Sequence, residues 1–313
     1  VAEIPQTTPA TARAIFAALE SKQRRDQHPR LAASGLGGCE RQQWDKFRWL
    51  FPAEIFDAQK LSIFETGEHW ETRLVQRLRD AGMIVDDLDP ETGEQWRIVF
   101  AGGHASGRTD GKVMGVPEAP KTMHVFEAKS MNDRAFKALL KAGCVREGKP
   151  EHFAQVQTYL HFQGLTRALY ISVNKNTDEL YCERIEYDAL FAVGLMTKAE
   201  RIVTSDRRPA CSCPVYFLKA GYGCAPNDGL MPARSCRSCL HVTFHLDGDA
   251  RVSCGRHNRD LCLDEQKAGC PQHLFNPDAV PGEQTDVDHE NERVTYRLAS
   301  GDVWVDGGAT CAS

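Results

Sequence analysis

The chain has 313 residues, 42% hydrophobic and 26% charged, with a formal net charge of −5. This balance excludes a wholly disordered or fibrous chain. It also argues against a surface that coats DNA nonspecifically, while leaving room for a local basic groove. No apolar run approaches the roughly 20 residues of a membrane helix, and length alone sets a prior of roughly two domains.

The opening VAEIPQTTPATARAIF lacks the basic start and apolar core of a signal peptide, so a cytoplasmic chain with no membrane partner is expected. Residues 8–27 have helix-compatible spacing and read as a surface helix, with Pro29 beyond it. Residues 34–38 of SGLGGCERQQW read as a turn, and ERQQWDKFRWL as a helix ending near Pro52. Residues 60–81 form the clearest helix, with Leu61, Phe64, Leu74, Val75 and Leu78 on one stripe and Gly82 as its stop. Residues 83–86 suit a short strand. Residues 94–100 alternate with Trp96, Ile98 and Phe100 on one face, and residues 104–114 return after an Ala101-Gly102-Gly103 turn.

MHVFEAK (123–129) predicts a further strand, and residues 133–142 and 150–163 predict helices, the second with Pro150 in its first turn and Gly164 as its stop. ALYISV and ELYCERI form a strand pair about residues 174–178, followed by a helix near 186–204. Beyond it the composition turns Cys-rich. Residues 276–292 are acidic and polar and read as a linker or loop, and RVTYRLASGDVWVDG reads as a hairpin turning near residues 300–302. No internal repeat is evident. The expected division is an N-terminal helix (1–33), a core (34–205), a Cys-rich metal-binding region (206–275), and a linker with C-terminal hairpin (276–313).

Strand period 2 puts Val125, Glu127 and Lys129 on one face of MHVFEAK. A carboxylate and an ammonium therefore sit side by side. Asp110 lies in SGRTDGKV. Glu71 shares its helix stripe with Gly67, Leu74, Val75 and Leu78, where a carboxylate is costly unless paired or bound to a cation. Brought to one pocket, three carboxylates and a lysine suit a hard divalent cation that activates water and neutralises phosphate. Lys129 would orient or deprotonate that water, or stabilise developing charge. Each signal alone has a plainer reading: an E-x-K is common on strands, and Asp110 before Gly111 suits a turn. On residues 150–163, a buried set of Phe153, Val156, Leu160 and Phe162 leaves Gln155 and Tyr159, one turn apart, free to meet a ligand.

The series Gly67-x3-Glu71, Asp110, Glu127-Ala128-Lys129 and Gln155-x3-Tyr159 resembles the PD-(D/E)xK nuclease superfamily, in particular its RecB-like exonuclease branch with the CRISPR-adaptation and phage lambda-type exonucleases. The resemblance spans roughly residues 34–240 in motif order. It implies an α/β, restriction-endonuclease-like mixed sheet flanked by helices, with a Cys-rich, metal-stapled C-terminal lobe. It implies Mg²⁺ or Mn²⁺ held by Asp110, Glu127, Glu71 and the Ala128 carbonyl, with Lys129 as the catalytic lysine. Gln155 and Tyr159 would match the QxxxY motif that contacts DNA and supports the site. Many RecB-like relatives carry histidine where this chain has Glu71; His69 falls on the polar face of the same helix. The Pro of the motif's first half is replaced by Thr109. The implied activity is metal-dependent exonucleolytic hydrolysis of DNA, its alternatives an inactive nucleic-acid-binding module or a PD-(D/E)xK endonuclease.

Twelve cysteines without an export signal point to metal rather than to disulfides, and eight of them fall between Cys211 and Cys270. SGLGGCERQQW is similar to the start of the iron–sulfur members of that branch, where one cysteine precedes the core and three follow it. Cys39 fits the first, and Cys211, Cys213 and Cys224 the others, although C-x-C-x10-C departs from the usual wider pair. A [4Fe–4S] cluster and zinc both remain open for this set. Cys236-Arg-Ser-Cys239, Cys254 and Cys270 form a C-x2-C-x14-C-x15-C pattern suited to tetrahedral zinc, with Cys262 and His273 as substitutes for one ligand. Arg234, Arg237, Arg251 and Arg256 add positive charge nearby. Cys144, Cys182 and Cys311 read as free thiols.

Overall fold

A computed structural model describes residues 9–23, 26–213, 223–224 and 228–307; Cys311 lies outside them. In chain order the elements begin with α1 (Ala10–Ser21), β1 (Leu31–Ala32), α2 (Glu40–Phe47), α3 (Ala58–Asp80), β2 (Ile84–Asp86), β3 (Arg97–Phe100), β4 (Ala105–Arg108) and β5 (Gly111–Met114). They continue with β6 (His124–Met131), α4 (Asp133–Ala142), α5 (Val145–Gly148), α6 (Pro150–Gln163), β7 (Arg167–Asn174), β8 (Leu180–Glu186) and α7 (Ala189–Thr204). The C-terminal part holds β9 (Val242–Phe244), β10 (Val252–Cys254), β11 (Arg259–Asp260), α8 (Leu263–Ala268), β12 (Gly282–Asp288), β13 (Arg293–Leu298) and β14 (Val303–Gly307).

The architecture is mixed α/β. A five-stranded sheet runs β2-β5-β6-β7-β8, with β6 and β7 parallel and the other pairs antiparallel. A parallel neighbour requires a long crossover, which α4, α5 and α6 supply. Alternation along β6 sends its side chains to two cores. Phe126 meets Leu74, Val75 and Leu78 of α3 on one face. Val125, on the other, belongs to the same core as Phe153, Val156 and Leu160 of α6 and Leu195 and Ile202 of α7. Asp57 caps α3 by accepting from the Lys60 N–H at 2.8 Å.

Four expectations from sequence change. First, residues 104–114 are not one strand. The chain pairs as β4 with β3 and β1, then switches sheets at Thr109-Asp110 to enter the central sheet as β5. Gly111 permits the switch: with φ +146, its Cβ position would lie 2.9 Å from the Asp86 carbonyl oxygen. Second, only the C-terminal half of the α3 stripe is buried; Phe64 is exposed and meets Phe56 edge-on at 5.1 Å. Third, residues 276–292 are not a linker. They carry a short 3-10 turn and β12, because β13 offers a backbone edge that pairs whatever the side chains. Fourth, the helix after Cys39 ends at Phe47, and Trp49 takes φ 53.

The Cys-rich region shares a core with the helices before it. Val242, Phe244, Val252 and Leu261 belong to the same hydrophobic cluster as Trp44, Phe47 and Leu50.

Candidate active site and thiol centres

The sheet switch builds the acidic site. The β5–β6 ladder begins at Gly111 opposite Phe126, so β6 beyond Phe126 has no β5 partner. Asp110 fills that gap: its Oδ2 accepts the Ala128 N–H at 2.7 Å. Within an extended strand, a residue's N–H and C=O leave by the same edge, so the Ala128 carbonyl also faces this open side. Glu127 and Lys129 stand on one face of β6 as strand period requires. The Lys129 ammonium donates to Glu127 Oε1, while Glu127 Oε2 is buried without a hydrogen-bond partner. Gly67 brings α3 against the end of β6, its Cβ position 3.9 Å from Ser130 Oγ. One turn on, Glu71 accepts a 2.7 Å hydrogen bond from Gln95. His69 is exposed.

The charges are unbalanced. Burial, with a smaller contribution from the Asp110 charge, pushes the Glu71 carboxyl up to about 7, against the pull of Lys129 and Gln95. Burial pushes Glu127 up to about 8, with Lys129 opposing and Asp110 and Glu71 adding to the rise. Asp110 is also raised by burial, with Lys129 and the Ala128 N–H opposing. Burial would lower Lys129, but Glu127, Asp110 and Glu71 together raise it, so it stays an ammonium. Three carboxylates share one cation, and one buried carboxylate oxygen has no donor. A divalent cation would correct both deficits. The donor set, all hard oxygen, fits Mg²⁺ or Mn²⁺.

Gln155 and Tyr159 differ from the sequence expectation. Both are buried, as is every residue from 153 to 160, because α6 is covered on several sides. Gln155 Nε2 donates to the Tyr159 hydroxyl at 2.9 Å. Tyr159 packs on Gly107, where a Cβ would lie 2.7 Å from its ring and 2.7 Å from Ala33 Cβ. Phe162, expected inside, is exposed and stacks on Phe100 at 4.9 Å. Gln95 falls within the alternating run 94–100 but precedes the strand Arg97–Phe100, and no motif in the sequence marks it as a partner of Glu71.

The first thiol set converges. Ligand atoms of Cys39, Cys211, Cys213 and Cys224 all lie within 4.8 Å of one another, the one such His/Cys/Asp/Glu group among the described residues. Cys224 Sγ is 3.6 Å from the sulfurs of both Cys39 and Cys213. Cys39 is the N-cap of α2. Burial would raise its thiol, yet hydrogen bonding by the backbone at Gln42 and Ser212 brings it down to about 6, as helix N-termini do for thiolates. Gly37 seats the preceding loop on α6, its Cβ position 2.8 Å from Glu151 Cα. The return of the chain is held by Arg208, which grips buried Asp45 through two bonds of 2.7 and 2.6 Å. Four thiols at this spacing fit either zinc or an iron–sulfur cluster.

The second set, Cys236, Cys239, Cys254 and Cys270, lines one cavity of about 140 Å³ with His241 and His273. Burial and then the neighbouring Cys239, Cys270 and Cys254 push the Cys236 thiol up to about 11. Its sulfur donates to the Glu265 carbonyl at 3.3 Å. Cys262 is exposed at the N-cap of α8. Of the remaining thiols, Cys182 is exposed and Cys144 half-buried. Three of the nearby arginines are paired: Arg234 with the buried Asp306, Arg251 with Asp247, and Arg256 with Glu292. Arg237 is buried.

No protein-family model matches the chain, and no curated protein matches it. Among solved structures, the alkaline exonuclease LHK-Exo from Laribacter hongkongensis is similar at 17% identity and a TM-score of 0.39, over 61% of this chain and 90% of that one. LHK-Exo in complex with dAMP gives 16% identity and a TM-score of 0.40, with the same coverage. The structure titled SSO0001 gives 12% identity and a TM-score of 0.37, over 62% of this chain and 86% of that one. No helix among the described residues is long and apolar enough to cross a membrane.

Proposed function

We propose that the chain is a divalent-metal-dependent deoxyribonuclease of the PD-(D/E)xK type, acting as an exonuclease. The observation that carries this reading is the acidic site itself, with Glu71, Asp110 and Glu127 around Lys129 and Glu127 Oε2 buried and unpartnered. Asp110, Glu127, Glu71 and the Ala128 carbonyl would hold Mg²⁺ or Mn²⁺, which when bound acidifies water and neutralises phosphate charge.

This chain's residues divide the remaining work. With its ammonium held against Glu127, Lys129 would orient water and stabilise phosphoryl charge. Its contact with Glu127 keeps the ammonium beside the ligands. Asp110 has two tasks: holding the cation and accepting the Ala128 N–H that β5 leaves unpaired. Gln155 and Tyr159 support the site from inside, since neither is open to solvent. Gln95 fixes the Glu71 carboxylate from the loop before β3.

The test uses anaerobically purified full-length protein with end-labelled linear and circular DNA, with and without Mg²⁺ or Mn²⁺. Digestion of the linear form alone, dependent on the metal and lost in Lys129→Ala, is expected. Cutting of circles would replace the exonuclease by an endonuclease. DNA binding without cleavage would mark an inactive binding module, and an active, folded Lys129→Ala would remove the site assignment.

A further inference from the structure

The second thiol set has no part in the chemistry above, and its surroundings say what it does. Cys236 and Cys239 flank a 3-10 turn (Cys236–Ser238), Cys254 ends β10, and Cys270 follows α8. Three separate pieces of chain thus send four thiols to the walls of one small cavity. The walls are braced for this. Ser235 and Ser238 form a reciprocal capping box across the turn. Ser238 Oγ also meets the Ala233 carbonyl at 2.7 Å and His273 Nε2 at 3.2 Å. The His241 N–H donates to Cys239 Sγ at 3.5 Å, a bond that favours a thiolate. His273 is therefore a brace between the Cys270 loop and the turn. Cys262, at the exposed N-cap of α8, stands off the cavity wall.

Between the two cysteines of the turn, Arg237 points inward and is 1% exposed. It donates to the Phe47 carbonyl, just at the end of α2, and to Gln266 of α8, both at 2.9 Å. Its guanidinium lies 4.8 Å from the Phe47 ring centroid and 4.4 Å from that of Trp49. A buried arginine needs its partners held in place. Phe47 and Trp49 belong to the end of α2 and Gln266 to α8, so the arginine ties the thiol-lined turn to both.

We propose that the C-terminal lobe holds a second, structural metal centre of the zinc class, with Cys236, Cys239, Cys254 and Cys270 as its ligands. Its task is to lock the turn that inserts Arg237 beneath the end of α2. The sulfurs are not all within 4.8 Å of one another, and the Cys236 thiol is turned to the Glu265 carbonyl. Coordination would exchange that bond for the metal. The centre is independent of the nuclease reading, and its readouts do not involve cleavage.

The test is metal content per chain of full-length protein, wild type against Cys254→Ser, Cys270→Ser and Cys262→Ser. Loss of one zinc equivalent in the first two variants and none in the third is expected. Unchanged zinc in folded Cys254→Ser and Cys270→Ser would overturn the site. If those variants do not fold, alkylation of the wild type decides. The four cysteines should be protected together and released together by a zinc chelator, with Cys262 reacting throughout; reaction of the four at the rate of Cys262 in zinc-replete protein overturns the proposal. In cobalt-substituted protein, a ligand-field spectrum of mixed sulfur–nitrogen type at this site would replace one cysteine by His241. The locking role is read by hydrogen exchange. Zinc removal should speed exchange across residues 44–50, and unchanged exchange there would leave a metal site without that task.

Discussion

Replacing Glu127 by glutamine isolates the charge imbalance of the acidic site. The side chain is buried, and in Mg²⁺-free protein its carboxyl is moved from the ordinary 4.5 to about 8. A raised carboxyl stabilises the fold when protonated. That stability is fully present below pH 4.5 and is lost as the pH rises through about 8. At about 1.4 kcal/mol per tenfold change in proton affinity, the whole span corresponds to roughly 5 kcal/mol. Relaxation and water entry reduce such burial penalties, so a change of roughly 2–5 kcal/mol is expected. Glutamine keeps the shape and cannot ionise. The unfolding free energy of the wild type should therefore fall relative to Glu127→Gln between pH 5 and pH 8. Denaturant unfolding of both proteins at a series of pH values, in Mg²⁺-free buffer, measures the difference, and contributions from the thiol sites cancel. Adding Mg²⁺ at pH 8 should restore stability to the wild type by mass action and do little for the variant. Parallel pH profiles for the two proteins, with equal responses to Mg²⁺, would refute the reasoning.

Other consequences follow from the same geometry. Gly107→Ala places a methyl 2.7 Å from both Ala33 Cβ and the Tyr159 ring, an overpacking expected to cost about 1–3 kcal/mol in denaturant unfolding and to lower cleavage by shifting Tyr159. Gln155→Ala leaves the buried Tyr159 hydroxyl without its donor, at a cost of about 1–3 kcal/mol; it should lower kcat more than it raises the KM for DNA, and a pure KM effect would argue for a direct DNA contact instead. Arg208→Ala strands the nearly buried Asp45 carboxylate and is expected to cost about 3–5 kcal/mol. Metal content at the Cys39 centre should fall with it, because Arg208 anchors the return of the chain to α2.

Local pattern carried much of the fold. The spacing of Leu74, Val75 and Leu78, the Pro150 start and Gly164 stop of α6, and the period-2 run from His124 all rest on interactions within a few residues. They appear in the structure nearly where the pattern puts them. The order Glu71, Asp110, Glu127, Lys129 was equally visible, because a buried carboxylate stands out on an apolar stripe. Pairing partners were harder to see. Nothing in SGRTDGKV shows that one sheet ends and another begins at Thr109-Asp110, since that depends on β2 and β6 arriving from elsewhere. β12 was invisible for the same reason: apart from Val287 its side chains are polar, nearly all are exposed, and only the β13 backbone makes it a strand.

The sequence by itself determined which groups are available, namely three carboxylates and a lysine in one motif order, two sets of cysteines, and a helix carrying Gln155 and Tyr159. Tertiary structure decided what those groups meet. It buried Gln155 and Tyr159 behind the site by covering α6 on several faces, and it brought Gln95 to Glu71. It also joined Cys39 to Cys211, Cys213 and Cys224 across the whole core, and passed Arg237 from the other thiol set into that core. Spacing along a chain sets what neighbouring residues can share, a face or a turn. Burial and charge balance depend on the far segments that pack around them.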